Sequence, residues 1–305
     1  MNQILQPCLD FVLSKTVPFQ VKKLQLGNLT IRGALSTKNF EKGQVLFEEK
    51  PFLQTPELKP QNAKETKSKI TPAIKEYYTS SNKQSKTFLE NFLSTSPMKT
   101  YVERAIERST QPYFNSPNLW YQFMLSGQLF GRMMIEHDRV KYLHYVDSLQ
   151  SQNLGNTVPK NWAKDLELLC EAAQQTKGML DPAAFLERNE LFEPHQPNIK
   201  KTADRFWLSC FGKAIVNTIF VGRRYSLFLA SSFINHSCQP NLKIQSSNGI
   251  GDSIQFKSTK KIMKGDHLCF DYLGGIYQDD TNMRKQLIRL IWGFDCLCDL
   301  CRKPK

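Results

Sequence analysis

Cys296-Leu297-Cys298-Asp299-Leu300-Cys301 puts three thiols within six residues near the end of a 305-residue chain. A tight turn can converge that spacing on one ion, and a structural zinc takes four ligands in a tetrahedron, commonly thiolates at about 2.3 Å. The cluster is one ligand short, so a distant residue must fold back to complete it. The candidates are Cys8, Cys170, Cys210, Cys238, Cys269 and the five histidines. Cys238, in a loop just before Pro240, is the favoured fourth ligand, because a loop thiol reaches a metal more easily than one inside a strand. Cys210 and Cys269 sit in apolar strand patterns and read as buried core filler. The alternative, a redox Cys298-x-x-Cys301 pair, has no βαβ pattern ahead of it.

Eight cysteines in a chain of this length are too sparse for a secreted disulfide scaffold, which points to reduced thiols. No run approaches the eighteen or so apolar residues of a membrane span, and the N-terminus lacks a basic start and a small-residue cleavage site. The expectation is a soluble intracellular protein, nuclear or cytoplasmic, with no membrane partner. With 41 Lys plus Arg against 28 Asp plus Glu, the net charge of +13 favours acidic partners. The basic residues are scattered and form no stripe, so direct nucleic-acid binding is not expected.

Along the chain, LTIRGAL, a turn at Asn39 to Gly43 and QVLFEEKPFL read as short strands. From Thr55 to about Lys86 the composition turns polar, and residues 87–150 carry helix-spaced apolar positions such as Leu119, Phe123, Phe130 and Met134, a trend continued by Asp165 to Gln174. From Arg205 the pattern reads as β again, through FWLSCFGKAIVNTIFVGRRYSLFLASSFINHSC, LKIQ, SIQFKST and HLCFDYL, with turn signals at Asn248-Gly249, Gly251-Asp252 and Lys264-Gly265. Asp280 to Trp292 reads as a helix with Met283, Leu287, Leu290 and Ile291 on its apolar side. Strands, a helical insertion and strands again make an α+β fold. Neither a phosphate loop nor a dinucleotide fingerprint occurs.

The remaining chemistry is concentrated in SFINHSCQPNL (Ser232–Leu242) and KGDHLCFDY (Lys264–Tyr272). If Cys238 and the terminal cysteines share a zinc, Asn235 and His236 are drawn against Trp292, Gly293 and Phe294. In order and spacing, NHSCQPN, KGDHLCFDY and FDCLCDLC resemble the SET-domain protein lysine methyltransferases. The SET and MYND group is the nearest likeness, since those proteins also end in a helix resembling NMRKQLIRLIWGFDCLCDLC. The likeness covers residues 21–54 and 205–303.

The resemblance implies a SET-type fold of short β-sheets with a helical insertion and a zinc-bound post-SET segment. It divides the chain into 21–54 and 205–279 as the two parts of the SET domain, 55–204 as the insertion, and 280–305 as a helix with the cysteine cluster. It implies S-adenosylmethionine and Zn2+ as cofactors and a protein presenting a lysine as substrate, histone or chromatin among the candidates. Tyr272 is the implied catalytic tyrosine. Arg32, Gly33, Asn235, His236, Tyr272 and Phe294 are implied to face the cofactor, and Asn217, Thr218, Ile219 and Phe270 to line the lysine channel. Cys238, Cys296, Cys298 and Cys301 are the implied zinc ligands.

Three departures stand out. Residues 54–169 hold no cysteine, so the group's inserted MYND zinc finger is not expected here, and with the sequence ending at Lys305 the group's extra helical domain is not expected either. The expected G-x-G-L opening is Ile31-Arg32-Gly33-Ala34-Leu35, with one glycine lost. The competing expectation is therefore a catalytically silent SET-like protein-binding module; a basic zinc-dependent nucleic-acid binder rests on charge and cysteines alone.

Overall fold

Ile254, Phe256 and Ser258 are buried while Gln255 and Lys257 between them are half-buried, the period-two pattern of a strand with one face on a core. That strand, β9 (Ile254–Ser258), is the middle of an antiparallel sheet between β3 (Val45–Glu49) and β8 (Leu242–Ser246). Phe47 of β3 stacks on Phe256 with ring centroids 4.8 Å apart. The structure is a computed structural model that describes residues 17–26, 29–55, 91–109, 125–131, 149, 163–176, 199–222, 224–247, 253–277 and 279–302.

The chain divides into two compact units, one of residues 1–52, 147–149 and 216–305, the other of residues 53–146 and 150–215. The first unit opens with an antiparallel pair, β1 (Phe19–Leu26) and β2 (Leu29–Ser36), in a register running from Phe19↔Ser36 to Leu26↔Leu29. The end of β2 is also bonded to residues 265–268, with Ser36 N donating to Asp266 O and Leu268 N to Ala34 O. Hairpin strands β5 (Thr218–Val221) and β6 (Arg224–Leu227) follow, then a single 3₁₀ turn, Ser231–Phe233. The parallel pair β7 (Asn235–His236) and β10 (Cys269–Phe270) lies beyond, with Asn235 opposite Cys269 and His236 opposite Phe270.

The second unit contains β4 (Leu53–Gln54), α1 (Ser96–Ser109), a helical stretch at 125–131, α2 (Ala163–Gln175) and most of α3 (Ile199–Asn217). Its core is aromatic: Tyr101, Phe130, Trp207 and Phe211 are almost fully buried. Arg104 Nε bonds the buried Asp165 carboxylate at 2.9 Å.

The α+β class expected from the sequence is the architecture observed, with one substantial correction. Residues 205–217, read as strand, are the second half of α3. Phe206, Trp207, Cys210, Phe211 and Ala214 recur at helical spacing, but neighbours such as Leu208 and Lys213 are buried as well. A segment buried on all sides shows no clear period, and only its length separates helix from strand. Strand begins at the β-branched Thr218. HLCFDYL likewise yields only the two-residue β10.

The last helix, α4 (Thr281–Trp292), is bounded as the sequence suggests. Asp280 caps it by accepting from Met283 N at 2.9 Å, and Gly293 ends it in the left-handed region at φ 75°. Its buried face differs from the expected one: Arg284 and Ile288 are buried, while Leu290 is 71% exposed. Leu119, Phe123 and Met134, the polar insertion from residue 56 to 86 and the turns at 248–252 lie outside the described residues. Among the described residues no helix is long and apolar enough to cross a membrane.

Candidate active site and thiol centre

Asn235 occupies the point where β7, β10 and β2 meet. Its Nδ2 donates to Arg32 O on β2 at 2.7 Å and lies 3.1 Å from His267 Nε2. Asn241 fixes the neighbouring strand, donating through Nδ2 to His267 O at 2.9 Å and accepting from Cys269 N at 2.8 Å. Gly33 makes this approach possible: a Cβ there would meet His267 Nε2 at 2.6 Å, Leu24 Cδ1 at 2.6 Å and Asn235 Nδ2 at 3.0 Å. The Arg32 guanidinium lies over the Phe233 ring at 4.4 Å.

Tyr272 follows β10. Its hydroxyl donates to Ile234 O at 2.9 Å, immediately before Asn235, and its backbone N–H donates to His236 Nδ1 at 3.2 Å. Its ring packs against those of His236, Phe270 and Trp292, with centroids 5.3, 4.8 and 5.2 Å away. Burial pushes the phenol's pKa well above its ordinary value, aided by Cys269, so Tyr272 is neutral at physiological pH.

Because His236 Nδ1 accepts from Tyr272, its proton sits on Nε2, 3.3 Å from Cys238 Sγ. Burial lowers this imidazole's pKa to about 4 despite the nearby Asp271 carboxylate, so the ring is neutral; Arg284 adds to the lowering. The remaining N–H of this neutral ring faces the Cys238 sulfur, a contact of the kind by which outer-shell groups orient metal ligands.

The sulfurs of Cys238, Cys296, Cys298 and Cys301 all lie within 4.8 Å of one another. Cys238 Sγ is 3.9 Å from Cys296 Sγ and 3.6 Å from Cys301 Sγ. Four thiolates at zinc distance in a tetrahedron stand roughly 3.8 Å apart, so the donor set and spacing fit a zinc ion. Burial and the neighbouring sulfurs push Cys238 up and burial takes Cys296 to about 12. Burial raises Cys298 too, but backbone N–H donors and the adjacent thiols outweigh it and leave that thiol at about 7. So crowded a group of thiols ionises together only around a cation. The thiols sit in an apolar setting of Leu273, Ile288, Leu287, Trp292 and Phe294.

The residues named from sequence are thus brought together unevenly. Arg32, Gly33, Asn235, His236, Phe270 and Tyr272 form one connected group, and Phe294 lies 6.3 Å from His236, centroid to centroid. The His236 side chain is fully enclosed and both ring nitrogens are engaged, so contact between His236 and a cofactor falls to its backbone. Asn217, Thr218 and Ile219 lie at the junction of α3 and β5, with Thr218 facing Leu227 and Ile219 facing Ser226 across the hairpin. Their link to Tyr272 runs through Trp292, whose indole N–H donates to Val216 O at 3.0 Å.

Two site residues escaped sequence reasoning. His267 shares a strand face with Cys269, opposite Leu268 and Phe270, and that alternation is the signal that marks it. Arg284 interrupts the apolar side of α4. Its guanidinium donates to Tyr277 O at 2.8 Å and to Thr281 Oγ1 at 2.9 Å, and although burial works against its charge, Cys238 and Cys301 hold it firmly protonated.

The family profile described as "SET domain" matches residues 32–273, well over half of the chain. The chain is similar to "Histone-lysine N-methyltransferase SET5" of Eremothecium gossypii, 26% identical over 198 residues that make up 62% of this chain and 38% of that protein. It is 28% identical over 177 residues to the Candida glabrata protein of the same name, covering 58% of this chain and 30% of that one. It is 33% identical over 78 residues to "Potential protein lysine methyltransferase SET6" of Saccharomyces cerevisiae, 26% of this chain and 20% of that one. The matched part spans only about a third of the length of the first two relatives. Among solved structures, "Structure of Rubisco LSMT bound to Sinefungin and Monomethyllysine" overlaps 96% of this chain and 56% of that one at 13% identity and TM-score 0.41, too loose an overlap to bear on the site. Taken with the strand order and the grouping of Asn235, His236 and Tyr272, the profile match establishes that the chain belongs to the SET domain family.

Proposed function

We propose that the protein is an S-adenosylmethionine-dependent protein-lysine N-methyltransferase whose post-SET segment is held by zinc on Cys238, Cys296, Cys298 and Cys301. The observation that carries this reading is the position of Tyr272, a buried neutral phenol whose hydroxyl is fixed on Ile234 O beside Asn235.

S-adenosylmethionine supplies a sulfonium methyl to an attacking amine. The chain's own part is to bind and align. Arg32, Gly33, Asn235, the His236 backbone and Phe294 are the groups offered to the cofactor. Phe270 and Trp292 pack against the Tyr272 ring, and Asn217, Thr218, Ile219 and Phe270 line the lysine channel. Tyr272 is held as a phenol and so is no base; with its proton committed to Ile234 O, its oxygen presents lone pairs to an incoming amine. The lysine must arrive uncharged, and an apolar channel lowers an ammonium's pKa.

The relatives' names support a protein lysine as acceptor and make histone or chromatin the first substrates to try. The likeness to the SET and MYND group without its finger, and a reducing nuclear or cytoplasmic compartment for the free thiols, belong to the same proposal. A second reading, a silent protein-binding module, draws on Ile31, which pairs with Leu24 where a second glycine is expected. Incubation with labelled S-adenosylmethionine and core histones, with calorimetry of cofactor binding, separates the two: methyl label on lysine or tight cofactor binding lost in Asn235→Ala supports the enzyme, and neither transfer nor cofactor binding supports the silent module.

A further inference from the structure

We infer that His267 is a positioning residue: it accepts a hydrogen bond from Asn235 and locks that carboxamide so that its oxygen alone is offered to a donor group of the cofactor. The cofactor half of this inference rests on the function proposed above; the lock itself does not.

The assignment follows from donor and acceptor capacity. A backbone carbonyl only accepts, so the Asn235 atom 2.7 Å from Arg32 O must be the amide nitrogen. The same nitrogen lies 3.1 Å from His267 Nε2, which must then be the bare, accepting nitrogen. The imidazole proton sits on Nδ1, 3.7 Å from Cys269 Sγ. Burial disfavours protonation of this ring, which keeps the accepting form populated.

Both N–H bonds of Asn235 are thereby spent inside the protein. Its Oδ1 takes no hydrogen bond from the described residues, and it is absent from the sealed, unpartnered polar atoms of the interior. A half-buried amide that shows only an acceptor selects an N–H donor, such as an ammonium or a purine amine. The lock is itself held: Asn241 fixes the His267 carbonyl, and the missing Cβ of Gly33 leaves the space in which Asn235 and His267 meet.

Two measurements on the full chain test this. In ¹⁵N-labelled protein the His267 imidazole shifts should show a protonated Nδ1 and a bare Nε2; a proton on Nε2 would overturn the lock. In calorimetric titrations with S-adenosylhomocysteine, His267→Leu should bind roughly fivefold to tenfold more weakly than the parent, the worth of one hydrogen bond. His267→Gln, whose Oε1 can accept, should restore binding to within about threefold. A Leu variant that binds like the parent, or a Gln variant as weak as Leu, contradicts the positioning role. No binding by the parent chain would overturn the functional reading and the cofactor half of the inference together, while the nitrogen shifts judge the lock by themselves.

Discussion

The hydroxyl of Tyr272 and the backbone carbonyl of Ile234 are joined by a 2.9 Å hydrogen bond that ties the end of one motif to the start of another 38 residues earlier. The bond aims the phenol oxygen beside Asn235, and the rings of His236, Phe270 and Trp292 keep it there. Tyr272→Phe removes one buried donor and leaves the ring packing in place, so the melting temperature should fall by only a few degrees, corresponding to about 1 kcal/mol. A loss several times larger in a thermal melt would show the hydroxyl to be mainly structural.

Metal analysis of protein purified without chelator should give about one zinc per chain. Cys238→Ser should lose most of it even though Cys296, Cys298 and Cys301 remain, because the three local thiols are one ligand short. A chelator should lower the melting temperature of the parent and have little effect on Cys238→Ser. Full zinc retention by the variant would move the fourth ligand elsewhere.

Gly33→Ala should destabilise the fold by about 1–3 kcal/mol, the usual cost of overpacking. The added methyl would collide with His267 Nε2 and Leu24 Cδ1, both at 2.6 Å. Urea unfolding measures this directly, and a variant as stable as the parent would show that the His267 and Leu24 side chains can give way.

Glu49 provides a pH signature. Its carboxyl accepts from Ala230 N and Ser231 N at 2.6 and 3.1 Å, yet burial outweighs these bonds and lifts its pKa from 4.5 to about 7. The folded state therefore holds this proton more tightly than the unfolded chain. The contribution is fully present below pH 4.5 and is lost as pH rises through about 7, on the order of 3 kcal/mol in all. Urea midpoints from pH 4.5 to 7.5 should decline more steeply for the parent than for Glu49→Gln; equal slopes would remove Glu49 from the account.

Much of the site is legible in sequence because its parts are short, local and chemically distinctive. Asn235, His236 and Cys238 stand together, Tyr272 closes an alternating stretch, and Cys296, Cys298 and Cys301 announce a missing partner. What stays hidden depends on surroundings. Phe206 to Ala214 of α3 are buried at nearly every position, so they show no telling period. The buried face of α4 is that of Arg284 and Ile288 and leaves Leu290 exposed, because thiols and the Tyr277 carbonyl lie opposite Arg284. His267 acquires its role only when residues 265–268 run beside β2, a pairing no local motif specifies.

Transfer of a labelled methyl group from S-adenosylmethionine to lysine, followed by mass spectrometry of the acceptor, tests the central claim most directly. With core histones as the first acceptors, the parent chain should place the label on a lysine side-chain nitrogen. Tyr272→Phe, folded to the same extent, should be slower by about 10²-fold or more, the scale on which removing one preorganised polar group acts. Equal transfer by the two proteins would contradict the account.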